Sequence, residues 1–126
     1  MANPIQALIT EFKRQLPGAV ATAVFSIGDG LMLAVDSDVP DTNIDAMSAI
    51  HANIWDRINN FLKILPEEIC GGLHSMILEV EGASFFIVVD AQLQVALMAG
   101  VNATGNLGML RVMSNKYLTK LKPLIG

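Results

Sequence analysis

Residues 73–99 read LHSMILEVEGASFFIVVDAQLQVALMA. Three strand-like runs, 73–80, 83–89 and 93–99, are separated by Glu81-Gly82 and by Asp90-Ala91-Gln92. Turns this short join only antiparallel neighbours, because a parallel crossover needs a dozen or more residues. The middle run, Phe85-Phe86-Ile87-Val88-Val89, does not alternate apolar with polar residues. A strand with one wet face alternates, whereas one covered on both faces stays apolar. The stretch therefore predicts an antiparallel sheet with helices on both sides.

Working outward, a first helix starts at Asn3-Pro4, a capping residue followed by a proline suited to the first helical position, and stops at Pro17-Gly18. Ile5, Leu8, Ile9, Phe12 and Leu16 share one face at helical spacing. Ala19 to Ser26 and Leu31 to Val35 read as two further strands, joined by the Gly28-Asp29-Gly30 turn. An acidic loop follows from Asp36 to Asp41, and Asp41 or Thr42 caps the next helix. A last helix is expected from about Asn106 to Leu121, after a loop at 100–104, with Leu107, Leu110, Tyr117, Leu118 and Leu121 inward. Lys116, Lys120 and Lys122 sit near its end, where positive charge complements the helix dipole.

The helix between the two groups of strands, about Asn43 to Leu65, ends at Pro66. Met47, Ile54, Ile58 and Leu65 centre its apolar stripe. Ile50, Phe61 and Ile64 flank one side; Ile44, Trp55 and Leu62 flank the other. Asp45, Ser48, Asp56, Asn59 and Lys63 lie opposite. The stripe covers about half the circumference, more than one helix needs to sit on one sheet, and an exposed apolar patch of that breadth marks an interface. If the strand beginning near Leu73 lies at the sheet edge, it has no proline and almost no charge to blunt it. Such an edge invites pairing with another chain, and pairing with its own copy would make one sheet from two subunits.

Composition narrows the function. The chain has 126 residues, 52% hydrophobic and 16% charged, with a net charge of −4. That length is expected to form a single domain, residues 1–126, with a substantial core. An acidic chain whose lysines cluster at a helix end lacks the basic face that nucleic acid favours. Cys70 has no partner for a disulfide, which fits a reducing compartment. Neither a signal peptide nor a run approaching ~20 apolar residues is visible, so a cytoplasmic protein without membrane insertion is expected.

The sequence offers little chemistry. His51 and His74 have no ligand spacing, and His51 falls within the apolar stripe. Cys70 beside Gly71-Gly72 has no evident base. Asp36 and Asp38 supply too few oxygens for a hard cation and read as solvated loop charges, as do Glu67-Glu68 and the Glu79/Glu81 pair. The Gly28–Gly30 turn lacks the lysine and hydroxyl of a P-loop. Asn102-Ala103-Thr104 matches a glycosylation acceptor in a chain with no sign of secretion. No catalytic, cofactor-binding or metal-ligating set is expected, and no cofactor.

The order helix, two strands, helix, three strands, helix resembles the Roadblock/dynein light-chain family, in particular its stand-alone prokaryotic, MglB-like members. The resemblance spans nearly the whole chain. It is carried by Pro17-Gly18-Ala19-Val20 before the first strand, Gly30-Leu31 opening the second, and Asp45-Ala46-Met47-Ser48-Ala49 early in the long helix. Gln94-Val95 in the last strand and Asn106-Leu107-Gly108-Met109-Leu110-Arg111 opening the last helix complete it. It implies a three-layer α/β/α, α+β domain of profilin-like Roadblock architecture with a five-stranded antiparallel sheet. It also implies a homodimer whose central helices pack side by side while edge strands join into one ten-stranded sheet.

The function implied is a non-catalytic regulator or scaffold of a small Ras-like GTPase, with no nucleotide site of its own. The alternative is an adaptor subunit of a signalling or motor complex; a small-molecule sensor is a third reading. Arg57 and Arg111 have nothing to mark them as arginine fingers. For the homodimer, the stripe and the edge place Ile44, Met47, His51, Ile54, Trp55, Ile58 and Leu62 of the helix, with His74, Met76, Ile77 and Leu78 of the strand, in the contact. Trp55→Asp or Ile77→Lys is then expected to weaken self-association.

Overall fold

A computed structural model of the chain describes residues 3–38, 44–103 and 105–125, without the side chains of 44–51. The elements run α1 (Pro4–Gln15), β1 (Ala19–Ser26), β2 (Met32–Ser37), α2 (Ile44–Leu62), α3 (Glu67–Cys70), β3 (Ser75–Glu79), β4 (Ala83–Asp90), β5 (Val95–Asn102) and α4 (Leu107–Ile125). All neighbouring strands are antiparallel, in the order β2-β1-β5-β4-β3. This is the expected α+β domain, a five-stranded sheet between helical layers. The proposed caps at Asp41 and Thr42, and Thr104 of the glycosylation motif, lie outside the described residues.

Local chemistry sets the boundaries. The Asn3 side chain accepts hydrogen bonds from the backbone N–H groups of Ile5 (2.9 Å) and Gln6 (3.4 Å), which caps α1 as its sequence predicts. Asn106 accepts from Met109 N–H (3.0 Å) and caps α4 in the same way. Gly30 closes the β1–β2 turn at φ 70°, the left-handed region that a side chain disfavours. The last turn of α2 tightens, with N–H groups of Ile64 and Leu65 reaching only three residues back. The residue before Pro66 is biased away from the helical region, so the helix stops short of it.

Several boundaries differ from the sequence reading, among them the end of α2, at Leu62, and β2, which takes in Asp36 and Ser37. Residues 67–70, expected as a lead-in loop, form the short α3. The strand expected over 73–80 pairs only from Ser75 to Glu79. The last strand continues to Asn102, through what reads as loop, because Gly100 fits beneath the Phe85 ring; a Cβ there would lie 2.7 Å from it. And α4 runs on through Pro123 to Ile125. Ile125 packs against the core and Lys122 pairs with Asp90 (3.4 Å), which together hold that final turn.

The middle strand is β5, and its residues from Val95 to Val101 are buried on both faces. One set of β5 side chains, including Leu97 and Ala99, packs with Phe86 and Val88 against Ile9 and Phe12 of α1 and Leu110, Tyr117 and Leu121 of α4. Rings of Phe12 and Tyr117 stack at 4.6 Å and join the two helices. The buried Thr22 hydroxyl donates to the Ile9 carbonyl (2.8 Å), tying β1 to α1. The alternate set, Ala96 and Met98 with Ile87 and Val89, packs against Ala52 and Trp55 of α2. Between β2 and β3, α2 carries the chain across this second face from one sheet edge to the other.

Candidate interaction surface

The outer side of α2 is apolar and open. Ile54 and Leu65 are about 40% exposed, at 39% and 41%, while Phe61 and Ile64 reach 60% and 79%. Ile54, Ile58, Phe61 and Leu65 follow the three- and four-residue steps of one helix face. Just beyond, Ile69 of α3 is 76% exposed. Among the described residues, the stripe's Trp55 is turned onto Ile87 and Val89, while Ile54, Phe61, Ile64 and Leu65 face outward.

Beside this helix lies β3, an edge strand as expected. The His74 carbonyl and the Val80 N–H both bond to β4. In an antiparallel ladder the direction alternates, so the backbone groups of Ser75, Ile77 and Glu79 point away from the sheet. Met76 and Leu78 stand opposite Ile87 and Phe85, on the α2 side. Ile77 stands opposite Phe86, on the α4 side. β3 thus presents apolar side chains and outward-pointing backbone groups along this flank of the sheet.

Of the eleven residues assigned to a contact from the sequence, Ile54, Ile58, Leu62, Met76, Ile77 and Leu78 fall on or beside this flank, exposed or half-buried. His74 is exposed where the chain enters β3. The side chains of Ile44, Met47 and His51 lie outside the described residues. Trp55 is placed differently from that assignment: it is 4% exposed and belongs to the core beneath α2. A charge at Trp55 would therefore disrupt the fold before it reported on any contact.

Other groups singled out from the sequence have local duties. Lys13 bridges Asp38 (2.9 Å) and Asp36 (3.9 Å), so these two carboxylates, expected in a solvated loop, are paired, with Asp36 inside β2; the hydrogen bond to Asp38 holds the lysine's pKa above its ordinary value. Arg57 donates to Asn53 within α2 (3.1 Å), and the Arg111 guanidinium lies 5.7 Å from the centre of the Phe86 ring. Asn59, expected on the polar face of α2 opposite the apolar stripe, accepts from Leu73 N–H (3.3 Å) and fastens the approach to β3. Leu107, expected inward, is 39% exposed.

A cleft of about 430 Å³ separates α2 from the turn end of the sheet, with Asp29, Trp55, Asp56 and Gln94 among its walls. Among the described residues no group of three or more His, Cys, Asp or Glu is arranged to hold a metal ion, and no helix is long and apolar enough to cross a membrane.

No family model matches the sequence, and no curated protein matches it. Solved structures match closely in shape. A Roadblock/LC7 domain from Streptomyces avermitilis superposes with a TM-score of 0.80 at 13% identity, over 94% of each chain. The gliding protein MglB from Thermus thermophilus gives 0.81 at 14% identity, over 99% of this chain and 93% of its own. A structure described as MglB with a tetrameric arrangement gives 0.81 at 13% identity over the same shares. Over nearly its whole length, the chain therefore has the Roadblock/LC7 fold that its sequence resembles.

Proposed function

We propose that the chain is a non-catalytic, homodimeric regulator or scaffold of a small Ras-like GTPase. The observations that carry this reading are the exposed outer stripe of α2 and the unpaired edge of β3 on a Roadblock/LC7 fold. Two copies pairing through β3 would join their sheets and bring both α2 helices together. The composite surface would then engage the GTPase and favour one switch state through its difference in affinity for the two. A tetrameric arrangement described for one structural neighbour is in keeping with self-association. The GTPase as partner follows from the family resemblance, and the cytoplasm as compartment fits the lone Cys70 thiol.

The test is affinity capture from host lysate with the tagged chain, once with GDP and once with a non-hydrolysable GTP analogue. Enrichment of a Ras-like GTPase in one nucleotide state is the expected outcome. A reproducible set of other proteins with no GTPase in either state would replace the regulator with an adaptor subunit. GTPase binding with unchanged hydrolysis and exchange would point to the same adaptor role.

A further inference from the structure

The opposite edge of the sheet, β2, carries a feature that the dimer reading does not use. The Asp38 N–H bonds to Val20 of β1, so by alternation the backbone of Val35 points away from the sheet. Both of its outward groups are occupied by one side chain from α1. Gln6 Nε2 donates to the Val35 carbonyl (2.9 Å), and Gln6 Oε1 accepts from the Val35 N–H (3.3 Å). A carboxamide offers the same acceptor and donor pair as a peptide unit, so Gln6 makes the two bonds that a residue of an added strand would make. Its second amide hydrogen is turned to the Thr10 hydroxyl (3.3 Å), which holds the head group in place.

Without Gln6, β2 is well suited to self-pairing. Met32–Ser37 contains no proline, and its one charge, Asp36, is engaged by Lys13 of the same chain. In an antiparallel match centred on Val35, Val35 faces its own copy and Asp36 faces Ala34, so no two acids are opposed. We propose that Gln6 acts as a one-residue strand that closes this edge, and that the partner it excludes is the β2 edge of a second copy of this chain. Assembly is thereby confined to the other flank of the molecule. With both edges open, each copy would have two pairing surfaces, and chains could link into open-ended arrays.

The inference is independent of whether β3 pairs, so the test compares masses rather than assuming a dimer. In wild-type protein, sedimentation velocity over a concentration series is expected to reach a plateau mass. In Gln6→Ala, which keeps good helix propensity and adds no apolar surface, the weight-average mass at the highest concentration is expected to exceed that plateau by about twofold or more. Gln6→Glu retains the acceptor and puts a charge on the edge, and is expected to keep the wild-type plateau. A folded Gln6→Ala protein with the wild-type mass at every concentration would overturn the proposal.

Amide hydrogen exchange on the wild type tests the same edge even if the variant fails to fold. Val35 is expected to be protected as well as the inward-bonded amides of Ala34 and Asp36, at every protein concentration. Rapid exchange at Val35 would overturn the proposal. So would protection that appears only as copies associate, because a neighbouring chain rather than Gln6 would then hold the edge.

Discussion

On one face of the sheet, α1 and α4 lie side by side and touch through the Phe12–Tyr117 stack. On the other face, α2 is the long helix, and among its described side chains only Ala52 and Trp55 are buried. The first face is a closed interior: Ile9, Phe12, Leu110, Tyr117 and Leu121 are all buried. Along the outer sides of its helices stand Thr10, Arg14, Asn115 and Lys116, and α4 also exposes Leu107, Met109, Val112 and Leu124, by 39–65%. The second face is half a layer. Its outward side repeats apolar residues at Ile54, Phe61, Ile64 and Leu65, spacing that a buried helix has and a solvated one does not. The core residues of the first face are satisfied within the chain, whereas the exposed ones outside the second face would gain burial only through association.

That contrast is testable at its strongest point first. Phe12 is fully buried among both helices and the sheet, and Phe12→Ala removes a ring that its surroundings refill only partly. The expected loss is about 3–5 kcal/mol in urea denaturation. It should be the same at low and high protein concentration, because the closed face involves one chain alone. A loss below about 1 kcal/mol, the size typical of less constrained sites, would show that this face is not the closed one.

On the open face, Ile54→Asp should do the reverse. Ile54 is 39% exposed, so the folded chain accommodates the charge and circular dichroism stays as in the wild type. Self-association should weaken by at least about tenfold, or about 1.4 kcal/mol, because the charge would have to be desolvated in the contact. Equilibrium sedimentation reads this directly, and an unchanged dissociation constant would remove the outer stripe of α2 from the interface. Trp55→Asp is no substitute for this variant, since Trp55 belongs to the chain's own core.

Where the sequence was legible, the physics was local or periodic. The two short turns within 73–99 determine the antiparallel order of β3, β4 and β5, and unbroken apolar runs announce strands covered on both faces. Asn3-Pro4 marks a helix start because cap chemistry involves only neighbouring residues. Trp55 was harder to place: a stripe that fills half a helix shows how much is apolar, but not which half meets the sheet. Asn59 reads as solvent-facing by spacing, yet its partner, Leu73 N–H, lies 14 residues away. Gln6 is less legible still. It sits between the stripe residues Ile5 and Ile9 as an ordinary helix-former, and its role depends on a backbone group 29 residues downstream. That α2 carries a broad apolar stripe could be read from composition and spacing, but which of its residues stay exposed depended on the rotation of α2.

The smallest effect probes how the closed face is fastened at its rim. Asp90, at the end of β4, accepts hydrogen bonds from the N–H groups of Leu93 and Gln92, both 3.0 Å, and pairs with Lys122 of α4 at 3.4 Å. The Leu93 N–H, followed by Lys122 and then Gln92, holds the Asp90 carboxyl below its ordinary pKa against the opposing effect of burial. A carboxylate depressed in the folded state contributes stability that is fully present above the unfolded value, about 3.9, and is lost as pH falls through the folded one. Asp90→Asn keeps an oxygen for the two N–H groups but discards the charge. The variant should be slightly less stable than wild type at pH 7, and the gap should narrow as the pH falls below about 4. Asp29, lowered chiefly by the Leu31 N–H, titrates in both proteins, so the difference between the two acid limbs isolates Asp90. This difference should not change with protein concentration, since Asp90 and Lys122 join two elements of one chain. Parallel acid limbs would show that the Lys122 bridge adds nothing to the closed face, while a concentration-dependent gap would place the end of α4 in a contact between copies.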